Sequence, residues 1–130
     1  MIGIYGGTFN PIHLGHLRAA EEVGEALGLD RVVFVPNARP PHKLEPEGNE
    51  VAPARLRFDW VELAVRDNPR FAVDPIEIER DGPSFLVDTL EQLRQRHAGE
   101  ELVFILGRDA LQDLGGWREP RRLLGLTHFA

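Results

Sequence analysis

The chain has 130 residues, a formal net charge of −6, 42% hydrophobic and 28% charged residues, the balance of an ordinary single globular domain with enough core to need no staples. No cysteine is present, which excludes disulfides and thiolate metal sites. Its apolar runs are strand-sized, well short of the roughly 20 residues that a membrane helix needs.

Ile2 to Tyr5 is a short apolar run ending at Gly6-Gly7, which predicts a strand broken by a turn. From Gly15 to about Leu27, Ala19, Ala20, Val23, Ala26 and Leu27 recur at helical spacing, and Gly28 stands where a C-cap glycine belongs. Arg31 to Val35, RVVFV, is a continuous β-branched run suited to a strand buried on both faces, and Pro36 ends it. Residues 36 to 51 are rich in proline, with Asn37, Gly48 and Asn49, and predict a long irregular loop of the kind that often carries function. Pro53 suits the first turn of a helix with an apolar stripe of Leu56, Trp60, Leu63 and Ala64, stopped by Asn68-Pro69. Phe71-Ala72-Val73 predicts a short strand, which Ile76 and Ile78 extend as an alternating edge. Asp81-Gly82-Pro83 is a turn, and Ser84 caps a helix carrying Leu86, Leu90 and Leu93. Leu102 to Leu106, LVFIL, is another buried strand, closed by Gly107; short helices follow from about Asp109 and after Glu119. The terminal LLGLTHFA reads as a strand cut off as it begins, so the natural chain is expected to continue.

Strands and helices alternate, and the strands are apolar throughout. That pattern predicts an α/β fold with a doubly wound parallel sheet, in one domain over residues 1–130. Ligands in such folds bind beyond the carboxyl ends of the strands, near the point where strand order reverses. The opening glycines, the Pro36 loop and Gly107-Arg108-Asp109 all follow strand ends, so they can converge in space. No basic-then-apolar leader opens the chain, and it is expected to be soluble and cytoplasmic. Arg121-Arg122 is the only basic doublet; it builds no basic face for nucleic acid. The single lysine, Lys43, stands in a chain that otherwise uses arginine, as if a compact ammonium were wanted there.

The chemistry concentrates in GGTFNPIHLGH, Gly6 to His16. Gly6 and Gly7 allow backbone to approach a ligand and permit positive φ. The helix after them offers free N–H groups and a dipole to an anion. Thr8 adds a hydroxyl donor, and Pro11 stiffens the loop. If the helix has begun by His13, then His13 and His16 share a face, with Gly15 leaving access between them. Two imidazoles there can donate to phosphate oxygens, and phosphoryl-type transfer needs mainly positioning and charge stabilisation. A zinc pair and a pair of structural histidines, one capping and one packed, are the competing readings. The combination of strand end, Gly-Gly-Thr, proline and both histidines favours phosphate. Neither a Walker A motif nor GxGxxG follows the first strand, which disfavours a hydride-transferring dinucleotide enzyme.

GGTFNPIHLGH resembles the GGTFDPIHxGH signature of nucleotidylyltransferases, whose core is HxGH. The resemblance to bacterial nicotinate-nucleotide adenylyltransferases runs from Ile2 to the last residue. It includes PNARPPHK at 36 to 43, Arg55 in the following helix, PSFLVDTL at 83 to 90, and GRDAL with Trp117 at 107 to 117. The resemblance implies a Rossmann-like nucleotidylyltransferase fold and a reaction of ATP with nicotinate mononucleotide, giving nicotinate adenine dinucleotide and pyrophosphate. The mononucleotide phosphate attacks the α-phosphorus in line, with Mg²⁺ bound alongside ATP and no covalent enzyme intermediate. Gly6, Gly7, Thr8 and Phe9 match the loop that holds ATP. His13 and His16 match the pair that contacts the triphosphate and stabilises the transition state. Gly107 and Asp109 match the ATP side, Asp109 as a ribose-binding aspartate shared with the second substrate. Asn37, His42 and Lys43 match the substrate-side loop; Ser84, Phe85, Leu86 and Val87 match a helix start whose backbone meets the nicotinate carboxylate. Trp117, with Arg118 beside it, matches the aromatic that stacks on the pyridine ring.

Three departures stand out. Asn10 replaces the usual aspartate, Phe85-Leu86 replaces Tyr-Thr, and the ISxTxxR segment that helps bind ATP phosphates would lie beyond Ala130. Two other functions stay open on the sequence: a pantetheine-phosphate adenylyltransferase-like enzyme, disfavoured because that sister group usually has TxGH and lacks PPHK, and a non-catalytic nucleotide-binding module.

Overall fold

The computed structural model describes residues 1–37, 52–80 and 86–106, and the backbone of 128–129. Five parallel strands form one sheet: β1 (Ile2–Gly7), β2 (Arg31–Pro36), β3 (Phe71–Val73), β4 (Leu102–Ile105) and β5 (His128–Phe129), in the order β3-β2-β1-β4-β5. Helices α1 (Leu14–Leu27), α2 (Ala54–Val65) and α3 (Leu86–Arg96) lie between them in sequence. Strand order runs outward from β1 through β2 to β3, then jumps back across β1 to β4. The reversal therefore falls between β1 and β4, and their carboxyl ends bound the crevice where ligands bind in such sheets. The doubly wound parallel sheet is thus the one the sequence predicts. Within the terminal segment, His128–Phe129 forms a strand paired parallel to β4.

Each central strand is apolar throughout because each is covered twice. Ile2, Ile4, Val33, Val35, Leu102 and Phe104 pack with Val87, Leu90 and Leu93 of α3 and with Ile76. On the opposite face, Val32, Phe34, Val103 and Ile105 pack with Phe9, Ala20 of α1, Leu29, and Val61 and Val65 of α2. Full burial of each such aliphatic side chain contributes about 1.5–3 kcal/mol. Leu29, just past the end of α1, lies close over Gly3, where a Cβ would stand 2.8 Å from Leu29 Cδ1. Gly28 ends α1 in the left-handed region at φ 63°, as its C-cap position predicts.

Four local expectations are corrected. β1 does not stop at Tyr5 but runs through Gly7. Pro53 stands one residue before α2, as its N-cap, and not in its first turn. The buried face of α2 is Arg57, Phe58, Val61 and Val65. Leu56 and Leu63 are instead 43% and 59% exposed, Ala64 is exposed and Trp60 half-buried. The stripe through Leu56 is one residue out of phase with this face, which carries the charged Arg57 inward. Ile76 and Ile78 do not extend β3. The Asp74 side chain accepts from the Ile76 N–H at 2.9 Å, Pro75 can donate nothing to a ladder, and residues 76–79 turn instead. The turn at Asp81–Pro83, the Ser84 cap and the short helices near Asp109 and Glu119 lie outside the described residues. No described helix is long and apolar enough to cross a membrane.

Candidate active site at the strand-order reversal

The loop between β1 and α1 is built on crowding around two glycines. Neither Gly6 nor Gly7 has positive φ, so conformational freedom is not what they supply. They supply space: a Cβ on Gly6 would stand 3.1 Å from the Phe104 ring, and one on Gly7 3.1 Å from the Phe9 ring. The chain turns at Phe9 instead. Phe9 has φ 49°, a conformation that costs a large L-residue about 1–2 kcal/mol. Burial of its ring offsets that cost. Phe9 is 3% exposed, edge-on to Tyr5 at 5.6 Å and His16 at 5.1 Å, and 5.8 Å from Phe34. Next, Asn10 Oδ1 accepts from the Ala52 N–H at 3.1 Å and ties the loop to the entry of α2. An aspartate would offer the same acceptor, so Asn10 keeps this contact.

α1 begins at Leu14, not at His13. His13 is its extended N-cap (φ −142°, ψ 176°), and with His16 it forms a reciprocal capping box. His13 Nδ1 accepts from the Gly15 N–H at 3.1 Å, and His16 Nδ1 accepts from the His13 N–H at 3.1 Å. The two rings stack with centroids 3.8 Å apart and planes at 27°. Gly15 makes this possible, because a Cβ there would sit 2.9 Å from His13 Cε1 and 3.0 Å from Nδ1.

The caps decide the tautomers. An Nδ1 that accepts carries no proton, so each neutral ring holds its proton on Nε2. Each histidine therefore presents a donor on the side of its ring away from the cap. Burial, and secondarily the charge on His13, hold the pKa of His16 below its ordinary value of 6.5, which favours that neutral form. The first turn of α1 has no acidic residue, so its positive end is open to an anion. The histidines are thus structural caps and outward donors together.

Asn37 follows β2 and meets this loop. Its N–H donates to Gly7 O at 3.0 Å, and its side-chain Nδ2 lies 3.5 Å from Thr8 Oγ1. Its Oδ1 is buried without a hydrogen-bond partner among the described residues, the condition of an acceptor that a ligand donor would complete. The structure thus brings Gly6, Gly7, Thr8, Phe9, His13, His16 and Asn37 together at the carboxyl ends of β1 and β2. Leu86 and Val87 open α3, but their side chains serve the core, Val87 fully buried and Leu86 packed against it. Only their backbone is left for a ligand. His42, Lys43, Ser84, Phe85, Gly107, Asp109, Trp117 and Arg118 lie outside the described residues.

Sequence reading missed Arg57. It is 1% exposed, donating from Nε to Ala52 O at 2.8 Å and from Nη1 to Thr8 O and Asn37 O, both at 2.7 Å. Arg55, singled out instead, is exposed, lies over the Phe58 ring at 4.9 Å and pairs with Asp59 at 3.6 Å. No spacing rule distinguishes the two arginines; only the phase of α2 does.

As for a metal, the described residues contain no group of three or more His, Asp or Glu placed to hold one, and the caps already use both Nδ1 atoms.

A parallel sheet whose strand order reverses beside β1, with helices between its strands and an open helix start after the first strand, defines a doubly wound α/β domain. A family model described as cytidylyltransferase-like matches residues 4–130, and the chain belongs to that family. Among curated relatives, a protein of Thermus thermophilus named "probable nicotinate-nucleotide adenylyltransferase" is 51% identical over 122 residues, covering 94% of this chain and 63% of the relative. A protein of the same name from Geobacter metallireducens is 51% identical over 117 residues, covering 90% and 53%. The chain thus spans less than two thirds of the length of these relatives. The fold is shared with the Plasmodium falciparum nicotinic acid mononucleotide adenylyltransferase solved in complex with NaAD, at a TM-score of 0.79 and 20% identity, covering 98% of this chain and 62% of that one.

Proposed function

We propose that this chain carries the catalytic domain of an adenylyltransferase that joins the AMP moiety of ATP to nicotinate mononucleotide, in NAD biosynthesis. The observation that carries the reading is the capping box, which leaves two Nε2–H donors at the start of α1 beside the glycines that end β1. The names of the relatives point to the acceptor.

In this reaction a phosphate oxygen of the mononucleotide attacks the α-phosphorus of ATP in line. A P–O bond forms to that oxygen, and the bond to the β-phosphate oxygen breaks. Pyrophosphate leaves with the electron pair. No protein nucleophile is needed, so the protein's work is to position and to stabilise charge. His13 and His16 donate to the phosphoryl oxygens as charge gathers on them. Gly6, Gly7, Thr8 and Phe9 form the loop against which the triphosphate lies, the glycines making room for the Phe104 and Phe9 rings that shape it. Mg²⁺, entering with ATP, would neutralise part of the phosphate charge. Asn37 Oδ1 accepts from a donor group of the bound substrates. By resemblance, Gly107 and Asp109 serve the ATP side, and His42, Lys43, Ser84, Phe85, Trp117 and Arg118 serve the second substrate, with Leu86 and Val87 contributing backbone alone.

The test is pyrophosphate release by the full-length protein from ATP with a panel of acceptors. Release with nicotinate mononucleotide is expected. Release only with pantetheine phosphate would assign the protein to the sister activity. ATP binding without turnover on any acceptor would make it a nucleotide-binding module.

A further inference from the structure

The buried guanidinium of Arg57 joins three segments that are far apart in sequence. Thr8 belongs to the loop that leads into the histidine pair. Asn37 follows β2, and Ala52 precedes α2. One Nη1 bridges the carbonyls of Thr8 and Asn37 at 2.7 Å each, and Nε holds Ala52 O at 2.8 Å. Charge-assisted bonds of this length are about twice as strong as neutral ones. A fork of several donors in fixed geometry is what arginine offers and lysine does not. The Thr8 carbonyl belongs to the peptide immediately before Phe9, whose φ of 49° turns the chain. Holding that carbonyl therefore fixes where Phe9, and His16 against its ring at 5.1 Å, are placed. Holding the Asn37 carbonyl with the same nitrogen fixes the second half of the site relative to the first.

We propose that Arg57 is a positioning residue for adenylyl transfer, setting the Asn37 side of the site against the His13–His16 side without touching either substrate. The inference rests on the adenylyltransferase reading. It separates two effects that a merely structural arginine would not. Each substrate meets its own half of the site, so loss of Arg57 leaves each KM little changed. What is lost is alignment between the halves, and misplacement by about 1 Å costs about 10²-fold in rate.

The experiment uses the full-length protein with Arg57→Lys and Arg57→Ala, each checked for folding by near-UV circular dichroism at the assay temperature. The expected result for Arg57→Lys is a fall in kcat of about 10²-fold with KM for ATP and for nicotinate mononucleotide nearly unchanged. Methylguanidinium should restore turnover to Arg57→Ala saturably. If the alanine variant does not fold, the lysine variant alone carries the test. A folded Arg57→Lys protein with wild-type kcat and only a lower Tm overturns the proposal. Amide exchange supplies a readout independent of turnover: the Asn37 N–H, bonded to Gly7 O, should exchange faster in Arg57→Lys. A wild-type protein that releases no pyrophosphate would refute the adenylyltransferase reading itself. Unchanged exchange at Asn37 in the lysine variant would instead refute the role of Arg57.

Discussion

Replacing Gly15 with alanine should separate stability from activity. The new Cβ would stand 2.9 Å from His13 Cε1 and 3.0 Å from His13 Nδ1, closer than real contacts allow. The His13 ring is free to rotate away, being exposed, and when it does the bond from the Gly15 N–H to Nδ1 is lost. Loss of an N-cap costs about 0.5–2 kcal/mol. Alanine in a helix gains about 0.8–1.0 kcal/mol over glycine. These terms nearly cancel, so stability should change by no more than about 1 kcal/mol. Turnover should not survive so well. A displaced imidazole no longer stacks 3.8 Å from His16, nor is its proton held on Nε2 by the cap. Loss of one aligned donor costs about 10²–10³ in rate. The assay is urea unfolding beside coupled pyrophosphate release, both on the full-length protein. A Gly15→Ala protein with wild-type turnover would refute the claim that the ring's seat over Gly15 matters to the chemistry. A large loss of stability would refute the cancellation.

The histidine caps also predict a pH effect. The pKa of His16 is lowered in the folded state, by burial first and by His13 second. The unfolded chain therefore binds the proton more readily, so the stability His16 contributes is full above about pH 6.5 and falls as pH drops below that value. His16→Gln, which keeps an acceptor at N3, should flatten the difference between thermal unfolding at pH 8 and at pH 5.5; an unaltered difference would remove His16 from the linkage. The phase of α2 predicts a contrast between two large residues. Phe58→Ala should cost about 3–5 kcal/mol and Leu63→Ala no more than about 0.5 kcal/mol in denaturant unfolding, and the reverse ranking would contradict the packing described.

The sheet was legible because its strands announce double coverage. RVVFV and LVFIL have no polar face, and only a parallel sheet between helices gives such a run nothing but apolar neighbours. Helix α2 was misread because its sequence carries two candidate stripes. Leu56, Trp60 and Leu63 are as hydrophobic as Phe58, Val61 and Val65, and the choice is made by Arg57, whose partners lie at Thr8, Asn37 and Ala52. A contact across 49 residues leaves no local signal. The spacing of the histidines places them together, and one capping and one packed ring stand among the readings it allows; that His13 is the cap and His16 reciprocates depends on one backbone rotation at His13. The glycines read as room for a ligand and for positive φ, but the space beside Gly6 and Gly7 is taken by the Phe104 and Phe9 rings, and the positive φ falls to Phe9.

If His13 and His16 drive adenylyl transfer through donors that their own caps orient, removing one of them must slow the reaction. The direct measurement is of pyrophosphate and nicotinate adenine dinucleotide formed from ATP and nicotinate mononucleotide by full-length wild-type protein and by His16→Ala. Equimolar products are expected from the wild type, and a rate about 10²–10³ lower from a folded His16→Ala protein. No dinucleotide from the wild type, or an undiminished rate without His16, would contradict that role.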